Sequence, residues 1–432
     1  MKRLSISILL IHILSAALYG QQDPLVYKYR KLAVDYQQSV KIAGKNIEGA
    51  NAMVDAAKAG FLPKVDFGGS YNFYGNPLQL GVTPETPTGS DLQNVYKVGL
   101  WVTQPILTGG YLKNTKNIAI AQSAAAENYL GLSQQNTMLE ADAHYLTVVT
   151  KKEMSLLSQQ YLEVILSFQK VIQDRVDEEV VGLNELYQAK VRSNDAKYDV
   201  IRVDKEFQVS MMALNRLIGV PLDVKSTHMD SLLVVSLDSP INQQVENALK
   251  TRPEMGLKEN QLLVDQYGEK IAASAYNPQF DVSAGVNYGT PSPGLTDEAG
   301  ENYMVQARLS IPIFYWGQKK DKVFAQQKIS EQTQLELEKT KDIIKLQVIS
   351  GYYELQRSKE QVDFSFSALD NAEKNVDVML DRYIEGLASV LEVLDAQLSW
   401  QKSYLNYIEA KFELNIAYST YLKATGKLSI SQ

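Results

Sequence analysis

Gln104-Pro105-Ile106-Leu107-Thr108-Gly109-Gly110 and Ile311-Pro312-Ile313-Phe314-Tyr315-Trp316-Gly317 are the two stretches whose comparison decides the fold. Pro105-Ile106 and Pro312-Ile313 lie 207 positions apart, as do Gly110 and Gly317, Tyr145 and Tyr352, Arg175 and Arg382, Ala189 and Ala396, and Gly219 and Gly426. A constant offset over that distance marks two copies of one unit with no net length change. Upstream, Leu62-Pro63 pairs with Asn277-Pro278 at an offset of 215, so the stretch to the next marker proline is 42 residues in the first copy and 34 in the second. The difference falls in turn-rich sequence, Gly75 to Asn94 and Gly289 to Asn302, where length is free to vary.

Downstream of each marker the 13 prolines leave 106–220 and 313–432 untouched. Both stretches are rich in good helix formers and carry apolar residues at three- and four-residue steps, the pattern of packed helices. One stripe runs Leu157, Tyr161, Val164, Phe168, Val171; another runs Leu391, Leu394, Leu398, then Leu405, Ile408, Phe412, interrupted by Gln401. Residues 111–174 form 64 positions of uninterrupted pattern, about 96 Å as one helix. A compact domain has no use for such a rod.

Upstream of each marker the period changes to two. Val65, Phe67, Gly69, Tyr71 and Phe73 interleave with Lys64, Asp66, Gly68, Ser70 and Asn72. Phe280, Val282, Ala284, Val286 and Tyr288 interleave with Asp281, Ser283, Gly285 and Asn287, and the segments at 96–102 and 303–311 alternate likewise. Such strands have the 9–11 residues of a tilted membrane strand. Alternation alone fits a soluble sandwich equally well. Four strands cannot close a barrel, and open edges are not tolerated in lipid, so either several chains complete one barrel or the strands never enter a membrane.

The N-terminus reads Lys2-Arg3, an apolar run from Leu4 to Leu18, then small residues at Ala16, Ala17 and Gly20, the pattern of a secretory signal peptide over 1–20. Its removal takes the formal charge from −7 to −9. That balance excludes a partner bound by phosphate neutralisation, so no nucleic acid is expected. With no cysteine there is no disulfide, thiolate metal site, catalytic thiol or lipidated N-terminus. His144 follows Glu140 by one helical turn, but no second ligand pair completes a metal site. Gly109-Gly110 lacks the Gly-Lys-Ser/Thr of a phosphate loop, and no nucleophile motif is present. No enzyme, metal or cofactor is expected.

The whole pattern resembles the TolC family of outer-membrane efflux proteins. The residues carrying the resemblance are Phe61-Leu62-Pro63 and Asn277-Pro278 opening the strands, Gln104 to Leu107 and Ile311 to Phe314 closing them, and Arg252-Pro253-Glu254 starting the second half. The most specific is the run Arg382-Tyr383-Ile384-Glu385-Gly386 continuing to Glu392-Val393-Leu394-Asp395-Ala396-Gln397.

The resemblance implies a mainly α chain with a small β part: long antiparallel coiled-coil helices forming a periplasmic α-barrel, plus four membrane strands completed by a homotrimer as a 12-stranded β-barrel. A first repeat spans 21–219 with its hairpin at 62–107, an equatorial linker 220–239, a second repeat 240–426 with its hairpin at 278–314, and a tail 427–432. Shorter opening and return helices lie near 24–59, 184–217, 240–275 and 388–424. Asp23-Pro24 and Ser239-Pro240 start the opening helices, and Pro253 breaks the second. The expected function is a passive exit duct of a tripartite efflux or type I secretion system, in outer-membrane lipid, partnered by a periplasmic adaptor and an inner-membrane pump or transporter. The alternative is a soluble secreted coiled-coil protein, structural or adaptor-like.

The resemblance also places the functional residues at the tip turns near 175–185 and 382–390. Glu392 and Asp395 stand at acidic positions that ring the periplasmic opening, Tyr383 at the gate tyrosine and Glu185 at its acidic partner. Ala388 stands where one branch has a gate arginine. Gly182-Leu183 and Gly386-Leu387 are candidate adaptor-docking points, since a turn glycine permits close approach and positive φ.

Overall fold

The computed structural model describes residues 24–80, 90–224, 240–290 and 299–430. The signal segment, most of the linker, the two strand-loop tips and the last two residues lie outside the described residues.

The described order is α1 (Pro24–Tyr36), α2 (Gln38–Ala59), β1 (Lys64–Leu80), β2 (Ser90–Thr108), α3 (Tyr111–Asp177), α4 (Leu183–Ile218), α5 (Ile241–Thr251), α6 (Pro253–Ser274), β3 (Gln279–Gly289), β4 (Gly300–Ser310), α7 (Gln318–Ile384) and α8 (Val390–Ala424). Both long helices have 67 residues and start 207 positions apart. The backbone repeats as the sequence does. Among the described residues every φ above zero belongs to a pair at that offset: Gly109 (63°) with Trp316 (48°), Gly110 (96°) with Gly317 (82°), Glu179 (59°) with Gly386 (75°), and Gly219 (78°) with Gly426 (72°). Trp316 and Glu179 therefore hold left-handed positions that glycine fills in the other copy, at a cost of about 1–2 kcal/mol each.

Two compact units emerge. Among the described residues, one holds 24–41, 133–224, 240–252 and 343–430; the other holds 42–80, 90–132, 253–290 and 299–342.

In the first unit, apolar side chains from α3 and the shorter helices make the core. Near the start of α1, Val26, Tyr29 and Ala33 pack with Tyr145, Val148 and Val149 of α3 and Leu214 and Leu217 of α4. Arg30 is buried there, and its Nε and Nη2 donate to the two carboxylate oxygens of Asp142 at 2.7 and 2.6 Å. Its Nη1 donates to the carbonyl of Ser429 at 3.1 Å, so α1, α3 and the segment after α8 share one buried cation. Leu391 and Leu398 do not belong to the core: they are exposed, and Val390, Val393, Leu394, Gln397 and Gln401 are buried. The inward face of α8 is rotated by about one residue from the leucine stripe, so Gln401 lies within it.

In the second unit β1-β2-β3-β4 form one antiparallel sheet in chain order, β2 pairing with β3 across the two repeats. The ladder fixes the faces. Val65, Phe67 and Tyr71 lie opposite Val102, Leu100 and Tyr96; Val102 and Leu100 lie opposite Ala284 and Val286; these lie opposite Val305 and Tyr303. These apolar positions thus share one face, and Asp66, Lys97, Ser283, Gln306 and Arg308 share the other. β1 and β2 are 17 and 19 residues, longer than expected, while β3 and β4 are 11. The second hairpin stops at Ser310 rather than 314, because Pro312 has no N–H to continue the ladder. β2 carries Pro105 through by a register shift between Pro105 and Leu107. α5 ends at Arg252, whose extended backbone (φ −73°, ψ 131°) is what a following proline imposes.

Candidate functional site

The apolar face of the sheet is bare. Phe67 is 73% exposed, Tyr303 83% and Val305 75%, and no second sheet is present among the described residues. A sandwich would bury this face, so the sheet is built for an apolar surrounding. Its outer strands, β1 and β4, each have one unpaired edge among the described residues. No described helix is long and apolar enough to cross a membrane.

The tip turns are residues 178–182 and 385–389, inside the expected ranges. Each is closed by the same bond: the Val180 N–H donates to the Arg175 carbonyl at 2.9 Å, and the Leu387 N–H to the Arg382 carbonyl at 2.8 Å. Gly386 has the positive φ its position needs, but Gly182 does not: its φ is −81°, and it is the N-cap of α4. The left-handed place in the first turn belongs to Glu179. Leu183 and Leu387 are both exposed, 58% and 64%.

Tyr383 sits in the tip cluster formed by Phe168, Ile172, Leu186, Val390 and Val393. Its ring meets Phe168 edge-on with centroids 5.2 Å apart. The Arg175 guanidinium lies over the same ring at 4.8 Å, and its Nη1 donates to the Tyr383 carbonyl at 2.8 Å. Burial pushes the Tyr383 phenol above its ordinary range; the Glu185 carboxylate pushes the same way and Arg175 opposes. The structure therefore brings Glu185 and Tyr383 together and adds Arg175. Among the described residues, nothing hydrogen-bonds the buried Tyr383 hydroxyl or Glu185 Oε2. Ala388 packs against the same cluster, and the cation beside Tyr383 comes from α3. Sequence reasoning used Arg175 only as a repeat marker. Its place one residue before the counterpart of Tyr383 was the available signal.

Glu392 and Asp395 are both exposed, one turn apart on α8. Glu392 has a local task as well. The Ser389 N–H and hydroxyl donate to Glu392 Oε2 at 2.7 and 2.8 Å, and the Glu392 N–H donates to Ser389 Oγ at 3.3 Å. This reciprocal capping box starts α8. The backbone and side-chain bonds from Ser389 hold the Glu392 carboxyl below its ordinary range. Ser389-x-x-Glu392 has the spacing such a box requires. His144 Nε2 stands 3.9 Å from Glu140 Oε1, and no group of three metal-ligating acidic or histidine side chains occurs among the described residues.

A sheet apolar and exposed on one face, entered and left by helices of 67 residues in two equal repeats, defines the fold of an outer-membrane channel. The profile of the outer membrane efflux protein family matches residues 31–220 and 245–427. The chain belongs to that family. It is 21% identical over 364 residues to the outer membrane efflux protein BepC of Brucella suis biovar 1 (strain 1330), covering 81% of this chain and 73% of that one. It is 21% identical over 298 residues to the solvent efflux pump outer membrane protein SrpC of Pseudomonas putida, covering 68% of this chain and 62% of that one. The fold is that of the Campylobacter jejuni CmeC outer membrane channel (TM-score 0.78, 17% identity, 95% of this chain and 87% of that one). It is also that of the open state of the Neisseria gonorrhoeae MtrE outer membrane channel (TM-score 0.76, 17% identity, 93% and 89%). Family and fold are those of channel proteins located in the outer membrane, rather than of enzymes.

Proposed function

We propose that three copies of this chain close one twelve-stranded barrel and continue it as a helical conduit, the passive exit duct of a tripartite efflux system. A periplasmic adaptor would dock at the tips, where Leu183 and Leu387 are exposed beside Gly182 and Gly386, and an inner-membrane pump or transporter would supply the energy. The observation that carries the reading is the bare apolar face of a sheet with two open edges: lipid covers the face, and other copies pair the edges. Efflux of small molecules is favoured over protein secretion because the relatives are named as efflux proteins.

At the tips, Tyr383 and Glu185 act with Arg175 as a latch between the two hairpins of one chain. Glu392 and Asp395 line the opening; three copies bring six carboxylates together. The test is Val305→Lys, on the face assigned to lipid. A charge there costs about 2–4 kcal/mol near the bilayer midplane, so the variant is expected to fail to assemble in the outer membrane, whereas Gln306→Lys on the opposite face assembles. Normal assembly of Val305→Lys would overturn the reading.

A further inference from the structure

Trp101 is the exception to the sheet's two-faced pattern. It projects on the polar face, in the row Asp66, Trp101, Gly285, Met304, and no other aromatic residue occupies a polar-face position in the regular ladder among the described residues. The neighbouring row is Gly68, Gly99, Asn287, Asn302, without bulk on its β1 and β2 positions. The ring lies flat on the backbone of Gly285: a methyl group there would fall inside the benzo half of the indole. Trp101 is half-buried. One ring face is used against the glycine. The other is turned to the polar side, with the Asp66 carboxylate on the directly paired position of β1 and the Met304 thioether two strands away in the same row.

We propose that this shelf is a cargo-contact site for organic cations with a flat apolar body. A ring face attracts cations through its quadrupole, and a neighbouring carboxylate adds charge selection. Direct cross-strand neighbours stand about 4.5–5.5 Å apart between their Cβ atoms, so one planar cation can meet both. Three copies would set three shelves at one level of the barrel wall. The inference rests on the proposed function, because it takes the polar face as the wall of the duct.

The test uses the full-length protein purified from outer membranes and reconstituted in planar bilayers. The probe is ethidium, with anilinonaphthalene sulfonate as a planar anion. Ethidium is expected to interrupt the current, with residence shortened about tenfold in Trp101→Leu and a few-fold in Asp66→Asn, and little changed in Trp101→Phe. Gly285→Ala, which displaces the ring, is expected to behave like Trp101→Leu. Equal ethidium residence in the parent, Trp101→Leu and Asp66→Asn would overturn the site and leave the duct standing. Equal block by the anion would overturn the choice of cations. If Trp101→Leu does not assemble, Gly285→Ala and Asp66→Asn decide. A protein that carries no current in any form would overturn the proposed function itself.

Discussion

Glu185 and Glu392 hold the same position in the two repeats, three residues past the helix N-cap, yet only Glu392 is bound into a cap. Its partner is Ser389; the residue equivalent to Ser389 in the first repeat is Gly182, which has no side chain to offer. Glu392 therefore stays at the surface, and Glu185 is left to turn toward Tyr383. A duplicated turn has become two different devices through one serine-to-glycine difference.

Giving the first turn its serine should undo that division. Gly182 has an ordinary negative φ, and the Asn184 side chain that a Cβ would meet is the end of a flexible group. Gly182→Ser is expected to draw Glu185 into a capping box, stabilise the start of α4 by a few tenths of a kcal/mol, and loosen the tip. Single-channel recordings should show higher conductance than the parent. Unchanged conductance together with a crystallographically observed box would sink the role given to Glu185.

Removing Arg175 should loosen the same tip. Arg175→Ala loses both the contact over the Tyr383 ring and the bond to its carbonyl, so conductance should rise, while Arg175→Lys keeps part of the effect. Alkaline pH gives an independent handle. The Tyr383 phenol is raised in the folded tip, so its contribution is complete below the ordinary phenol value near 10 and is lost as pH climbs through the higher folded value. Opening that begins above about pH 10 in the parent and is absent in Tyr383→Phe would bear this out.

The exposed carboxylates make a separate prediction. Neutralising Glu392 and Asp395 together should lower cation preference and weaken block by multivalent cations. Asp395→Asn alone should do so without disturbing the start of α8, because only Glu392 is part of the cap. Selectivity and block identical to the parent would remove both residues from the opening.

The buried pair in the other helical cluster is a matter of stability. Asp142→Asn leaves Arg30 buried without its counter-charge and should cost about 3–5 kcal/mol, whereas replacing both with apolar residues of similar volume should cost far less. Thermal unfolding of the purified protein measures the difference. Equal losses for the single and double variants would mean that packing, not charge, holds α1 to α3.

Much of this fold is legible in the sequence. The offset of 207 reads directly as two long helices of equal length, since insertions in a packed helical hairpin would break its contacts along the whole length; each has 67 residues rather than the 64 of the uninterrupted pattern. Period-two alternation gives the faces of β1, β3 and β4, and the ladder confirms them. Less was legible where two signals compete. Leucine identity suggested Leu391 and Leu398 as core, but Val390, Val393 and Leu394 fill the tip cluster and leave those two outside. Gly182 looked like a left-handed turn residue, yet glycine also serves as an N-cap, and the backbone uses it so. Arg175 touches a residue 208 positions away, and no local pattern encodes such a pair.

The central claim is that the bare sheet face meets lipid and its open edges meet other copies of the chain. The most direct measurement is the protein mass of the particle extracted from the outer-membrane fraction in mild detergent, determined by light scattering with the detergent subtracted. A particle of three chains is expected. A folded single chain recovered from the soluble periplasmic fraction would contradict it.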